Sequence, residues 1–179
     1  RLDLFYRLGV RVIQLTYNER NLLGNGCLER TDDGLSNFGV DAVREMNRLG
    51  ILIDLSHVGD RTTLDAIETS YQPVACTHAN ARSFFDNQRN KTDDALRLIA
   101  EKDGVIGATS WPPFLRNGWE STLEDFADAI GELVNMISGG AKAQLEGKEV
   151  SISCPSVVIG SSHKVINPLD VICILLPCK

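Results

Sequence analysis

Four short β-type runs, each followed by a segment of helical period, constrain this chain more than any other feature of its sequence. Val10 to Thr16 (VRVIQLT), Ile51 to Leu55 (ILIDL), Pro73 to Thr77 (PVACT) and Gly104 to Thr109 (GVIGAT) are apolar or β-branched and short, which predicts strands. A polar, Gly-rich loop from Tyr17 to Asn37 follows the first. Phe38 to Leu49 then carries Val40, Val43, Met46 and Leu49 at helical spacing, and Gly50 closes it. Asp60 is placed to cap a helix over Arg61 to Thr69, and Thr92 one over Asp93 to Lys102. Ser121 and Glu124 have the spacing of a capping box for a helix running to about Ile137. Apolar strands alternating with helices predict the α/β class, with a parallel sheet and helices packed outside it. Four βα units in series fit half of a (β/α)₈ TIM-type barrel. They equally fit a small doubly wound sheet, and periodicity does not choose between the two.

The pattern occupies residues 1–138. Leu2, Leu4, Phe5 and Leu8 followed by Gly9 read as the last turns of a helix whose start is missing, so the N-terminus is expected to be a truncation. Residues 139–179 show no regular period and no fifth βα unit. They are expected to form an irregular tail, either foreign to the rest of the chain or a native irregular C-terminus. A net charge of −6 argues against nucleic-acid or anionic-membrane partners, which need a basic patch. The five cysteines, Cys27, Cys76, Cys154, Cys173 and Cys178, make neither a disulfide framework nor a C-x-x-C metal site, and Cys76 lies in an apolar run. No signal peptide or membrane span is legible: the run Val171 to Leu176 is far too short to cross a bilayer. Localisation is therefore left unassigned.

Chemistry concentrates where two strands end. His57 terminates Leu52-Ile53-Asp54-Leu55-Ser56-His57, and His78 terminates Val74-Ala75-Cys76-Thr77-His78. In barrels and open α/β sheets the C-terminal edge of the strands carries the active site. Neighbouring strands lie about 4.8 Å apart, so imidazoles at matched strand ends can share one metal ion. Each histidine taken alone is equally an isolated polar residue at a loop start, and two ligands do not complete a catalytic zinc site. Arg89 precedes the Thr92-capped helix; it could bind a carboxylate through two parallel hydrogen bonds, although spacing alone favours a solvated surface arginine. Tyr17 opens a polar segment after the first strand, a candidate substrate loop or an ordinary connector. Trp111-Pro112-Pro113-Phe114 could wall the site or merely pack a loop. Gly24-Asn25-Gly26 reads as a turn and lacks the context of a phosphate loop.

Leu15-Thr16-Tyr17-Asn18, Gly34-Leu35-Ser36-Asn37-Phe38-Gly39, Glu45-Met46-Asn47-Arg48-Leu49-Gly50, Ile53-Asp54-Leu55-Ser56-His57-Val58 and Thr77-His78-Ala79-Asn80 with Arg89-Asn90 occur in this order. As an ordered set they resemble the central part of the renal (membrane) dipeptidase family, over roughly the first three-quarters of the chain. The resemblance implies a (β/α)₈ barrel with a binuclear zinc (Zn2+) centre that hydrolyses dipeptides. It implies that His57 and His78 bind one of the zinc ions, that Arg89 binds the substrate carboxylate, and that Tyr17 stands where the family has a substrate-binding histidine. The family's upstream His-x-Asp pair and bridging Glu, and its downstream Gly-x-Asp-Phe aspartate, have no counterpart here. No catalytic acid or base is therefore assigned, and the chain alone is expected to bind zinc weakly and to be inactive. Two half-barrels could pair as a homodimer, since strands at an open sheet edge invite partners. The alternatives are a non-catalytic α/β binding module, or a truncated gene product without activity of its own.

Overall fold

A computed structural model describes residues 1–144 of the chain, with side chains described as far as residue 136. Helix α1 (Leu2–Arg7) precedes strand β1 (Val12–Gln14), and Gly9, at φ 97°, turns the chain between them. Next come α2 (Asn37–Leu49), β2 (Leu52–Asp54), α3 (Asp60–Thr69) and β3 (Ala75–Cys76). Helix α4 (Asp93–Glu101), β4 (Val105–Ile106) and α5 (Leu123–Gln144) complete the order, with short 3₁₀ turns at Pro112–Phe114 and Gly118–Glu120 between the last two. The four strands pair in parallel in the order β1-β2-β3-β4, so each βα unit lies beside its predecessor. Every expected strand is present in shortened form, and the parallel α/β architecture is the expected one. The tail expected from residue 139 lies almost wholly outside the described residues. Its first residues, as far as Gln144, continue α5.

Local chemistry explains where the helices begin and end. The Ser36 side chain accepts from Gly39 N at 2.9 Å to start α2, and Gly50, in the left-handed region at φ 74°, ends it. Thr92 Oγ1 accepts from Ala95 N at 3.3 Å at the head of α4. Two expected caps differ. Asp60 is the first residue of α3 and makes no cap; it forms a two-pronged ion pair with Arg82 (2.5 and 2.8 Å). The donors at the head of α3 turn instead to Asp32, whose carboxylate accepts from Arg61 N (2.7 Å), Thr62 N (3.2 Å) and Thr62 Oγ1 (2.6 Å). The box at the head of α5 lies one residue later than expected. Thr122 N donates to Asp125 Oδ2 at 2.7 Å, and Asp125 N to Thr122 Oγ1 at 3.3 Å.

The core joins the strands to one face of α2, α3 and α4. Leu15, Val43, Met46, Ile53, Leu55, Ala66, Ile67, Val74, Cys76 and Ile99 are all buried in one cluster. A second cluster of Phe84, Leu96, Leu115, Ala129 and Leu133 seats α5 against α4. Valines on the outer strands stay exposed, Val12 at 48% and Val105 at 64%, as edge positions of an open sheet. No helix among the described residues is long and apolar enough to cross a membrane.

Candidate metal centre

The parallel register brings the ends of β2 and β3 side by side, and the chain leaves each strand into a histidine. His57 Nε2 and His78 Nε2 face each other at 2.9 Å. The opposite nitrogen of each ring is held. His57 Nδ1 lies 2.8 Å from Asn18 Oδ1, which is an acceptor, so that ring carries its proton on Nδ1. His78 Nδ1 lies 2.8 Å from Thr77 Oγ1. The Thr77 hydroxyl hydrogen is directed to Asp54 Oδ2 at 2.8 Å, which leaves the Thr77 oxygen as acceptor and places the His78 proton on Nδ1 as well. Both Nε2 lone pairs then converge on one point. The separation is that of an N–H···N hydrogen bond, so two bare acceptors repel here unless a proton or a metal cation lies between them. Ligands of a tetrahedral zinc ion with Zn–N distances of 2.0–2.1 Å stand roughly 3.3 Å apart, so the pair needs to open by only a few tenths of an ångström. The donor chemistry fits a divalent metal. Among the described residues no group of three or more His, Cys, Asp and Glu side chains is arranged to hold an ion, and His57 and His78 supply two nitrogen donors.

The surroundings keep the two imidazoles neutral. His57 is only 8% exposed, and burial first, then the positive charges of Arg89, lower its pKa from 6.5 to about 4. His78 is shifted in the same direction, chiefly by burial. The unfolded chain protonates His57 below about pH 6.5 and the folded chain does not until about pH 4, so the stability linked to this ring is complete above that window and falls as pH drops through it. Acidifying the metal-free chain from pH 7 to 4.5 is expected to remove about 2 kcal/mol through His57. Urea midpoints of the wild type and His57→Gln measure it, and equal pH slopes for the two would refute it.

The other residues singled out by sequence gather around the pair. Tyr17 stacks on the His57 ring, centroids 4.2 Å apart and planes 20° from parallel, and is itself 67% exposed. Arg89 corrects the expectation of a solvated surface residue: it is 6% exposed, and its Nη1 donates to the carbonyl of Ser56. Its Nη2 is buried with no hydrogen-bond partner among the described residues, and its guanidinium lies 4.9 Å from the Phe114 ring. A buried, unpaired guanidinium nitrogen is an unmet demand for an acceptor. Trp111 packs edge-on against Trp119 (5.3 Å), so of that loop Phe114 is the residue that meets the site.

Sequence reasoning missed three side chains here. Asn18 orients His57. Lys91 is 1% exposed, its ammonium donating to Val58 O at 2.6 Å and lying 3.3 Å from Thr63 Oγ1; burial pushes its pKa down. Asp54, 6% exposed, accepts from Ser56 N (3.0 Å), Ser56 Oγ (2.6 Å), Thr77 N (3.1 Å) and Thr77 Oγ1 (2.8 Å). Burial raises the Asp54 pKa, but these donors outweigh it and hold the carboxyl below its usual range. The available signal was a carboxylate inside the apolar run ILIDL, because a buried charge needs partners.

Comparison with known proteins agrees with this arrangement. A family model described as membrane dipeptidase (peptidase family M19) matches residues 1–142. An uncharacterized dipeptidase of Schizosaccharomyces pombe is 37% identical over 135 residues, covering 74% of this chain and 33% of that protein. The dipeptidase tcpJ of Claviceps purpurea is 31% identical over 184 residues, 95% of this chain and 43% of that protein. Among solved structures, an amidohydrolase from Pseudomonas aeruginosa superposes with a TM-score of 0.72 at 44% identity, covering 76% of this chain and 42% of that one. A metallopeptidase from Rhodobacter sphaeroides, liganded with a phosphinate mimic of the dipeptide L-Ala-D-Ala, gives 0.71 at 30% identity, with 76% and 42% covered. The chain thus spans between a third and under half the length of the relatives it matches. Its parallel sheet is a section of the TIM-type barrel of these dipeptidases, and the chain belongs to the membrane dipeptidase family of metallopeptidases.

Proposed function

We propose that this chain contributes the two-histidine part of a zinc centre for hydrolysis of dipeptides, and that the 179 residues by themselves bind zinc but do not turn over substrate. The facing Nε2 atoms of His57 and His78, each ring anchored through Nδ1, carry this reading. Zinc held there would polarise a peptide carbonyl and make a bound water a better nucleophile. Arg89 lies on the same side, and its unpaired Nη2 is suited to a substrate carboxylate in a charge-assisted bond. Tyr17 covers one face of His57 and offers a hydroxyl to substrate from an exposed position. The Asp54 carboxylate is not free to shuttle a proton to a leaving amine, because four donors occupy it. Lack of turnover follows from the ligands and the acid/base group that the resemblance implies and that this sequence does not contain.

Calorimetry with zinc at neutral pH tests the centre, comparing wild type with the His57→Ala, His78→Ala double variant. Binding in the wild type that is abolished in the double variant is expected. Identical traces would remove the metal centre and leave a non-catalytic α/β module. The exposed outer strands β1 and β4 are open to pairing with further strands, and a second copy of these residues could supply them. A monomeric mass in sedimentation would count against that dimer.

A further inference from the structure

We infer that Asp54 is a positioning residue for the metal centre: through the Thr77 hydroxyl it fixes which nitrogen of His78 carries the proton, and so aims the Nε2 lone pair at the metal. For metal binding this rests on the reading above; the tautomer itself does not. Asp54 lies on β2 and His78 follows β3, so the connection crosses the sheet.

Hydrogen-bond polarity carries the argument. Asp54 is acceptor-only when ionised. Its Oδ1 takes Ser56 N, Ser56 Oγ and Thr77 N, and its Oδ2 takes Thr77 Oγ1. Ser56 Oγ, its hydrogen directed to the carboxylate, accepts from His78 N at 3.1 Å, has the weak Cys76 thiol donor at 3.9 Å, and lies 3.0 Å from Thr77 Oγ1. The Thr77 hydroxyl has the carboxylate as its strongest acceptor, because a charged partner outcompetes a neutral one. With its hydrogen spent there, Thr77 Oγ1 can only accept from His78 Nδ1 at 2.8 Å. A hydroxyl is the required relay, since it donates on one side and accepts on the other.

Reversing the polarity at Asp54 reverses the chain. In Asp54→Asn the side-chain carbonyl must stay on the side of Ser56 N and Thr77 N, two backbone donors that a second donor would repel. The amide NH₂ then faces Thr77 Oγ1 and donates to it. The Thr77 hydrogen turns to His78 Nδ1 at 2.8 Å, a stronger acceptor than the Ser56 hydroxyl at 3.0 Å, which already accepts from His78 N. His78 becomes protonated on Nε2, the atom that should bind metal. Thr77→Val removes the relay and keeps the Asp54 carboxylate, which loses one of its four donors, and Thr77→Ser restores both contacts.

Long-range ¹H–¹⁵N NMR of the metal-free full chain at neutral pH reads the tautomer. The wild type and Thr77→Ser should show a protonated Nδ1 in His78, and Asp54→Asn should exchange the pyrrole-like and pyridine-like nitrogens of that ring. Zinc calorimetry on the same samples should show affinity weakened roughly 10–100-fold in Asp54→Asn and Thr77→Val, with Thr77→Ser near wild type. An Nδ1-protonated His78 in Asp54→Asn overturns the proposal, as does wild-type zinc affinity in Thr77→Val. Exchange of the nitrogens in a chain that binds no zinc upholds the relay and sinks the metal-centre reading instead.

Discussion

Alanine in place of Asp32 is expected to destabilise the chain by about 4 kcal/mol, more than any surface carboxylate should. Its two oxygens collect Arg61 N, Thr62 N and Thr62 Oγ1 from the head of α3. They also take Gly34 N (3.0 Å) and Asn25 Nδ2 (3.2 Å) from its own loop. Burial raises the pKa of this carboxyl, and the Thr62, Gly34 and Asn25 bonds more than offset that and lower it. Losing a cap alone removes roughly 0.5–2 kcal/mol. Leaving further donors unsatisfied beside a charge site adds roughly 1–3 kcal/mol. Asp32→Asn should retain part of the loss, since one acceptor oxygen remains. Urea unfolding measures both variants, and a deficit below about 1 kcal/mol in the alanine variant would mean that water replaces the carboxylate without penalty.

The second large effect is expected at Gly26. A Cβ there would lie 2.2 Å from both the carbonyl carbon and oxygen of Asn18 and 2.5 Å from Glu19 N, all backbone atoms that no side-chain rotation can move. Gly26 also forms a bridge with Val58, and the next residue donates from Cys27 N to His57 O at 2.9 Å. Gly26→Ala must therefore push apart the two segments that hold His57: its own strand end and Asn18. We expect about 3 kcal/mol of lost stability or more, and zinc binding weakened beyond what that loss explains. Gly50→Ala is the contrast. Gly50 has a positive φ of 74° but open space around it, so the penalty should stay near 1 kcal/mol with zinc binding intact. Equal effects of the two variants would mean that the close approach at Gly26 is not what positions His57.

These residues also mark how far the sequence could be read. Periodicity with the Gly50 stop located α2, and periodicity with the Thr92 cap located α4, because those signals lie within four residues of their effect; the Ser36 cap was not read. Strand-end placement brought His57 and His78 together for the same reason: a parallel register follows from the order of βα units. The cap of α3 was not legible, since Asp32 reaches Arg61 N across 29 residues. Nor was the burial of Arg89 and Lys91, whose partners Ser56 and Val58 each lie 33 residues away. Long-range bonds from side chains to backbone carry no periodic signature. The shift from Ser121 to Thr122 at α5 is a subtler miss, because two adjacent residues both satisfy the capping pattern.

The strictly sequential strand order has a kinetic consequence. His57 and His78 are 21 residues apart, so the loop closed to form the pair is short and its entropy small. Asn18, Asp54 and Thr77 come from the same first three strands and the loops that follow them. The pair can therefore assemble once β1, β2 and β3 have docked, before β4 and α5 join, and the slow step is the non-local parallel pairing of Val12 with Leu52. A metal ion present during synthesis would meet these two imidazoles before the later units of the sheet are in place.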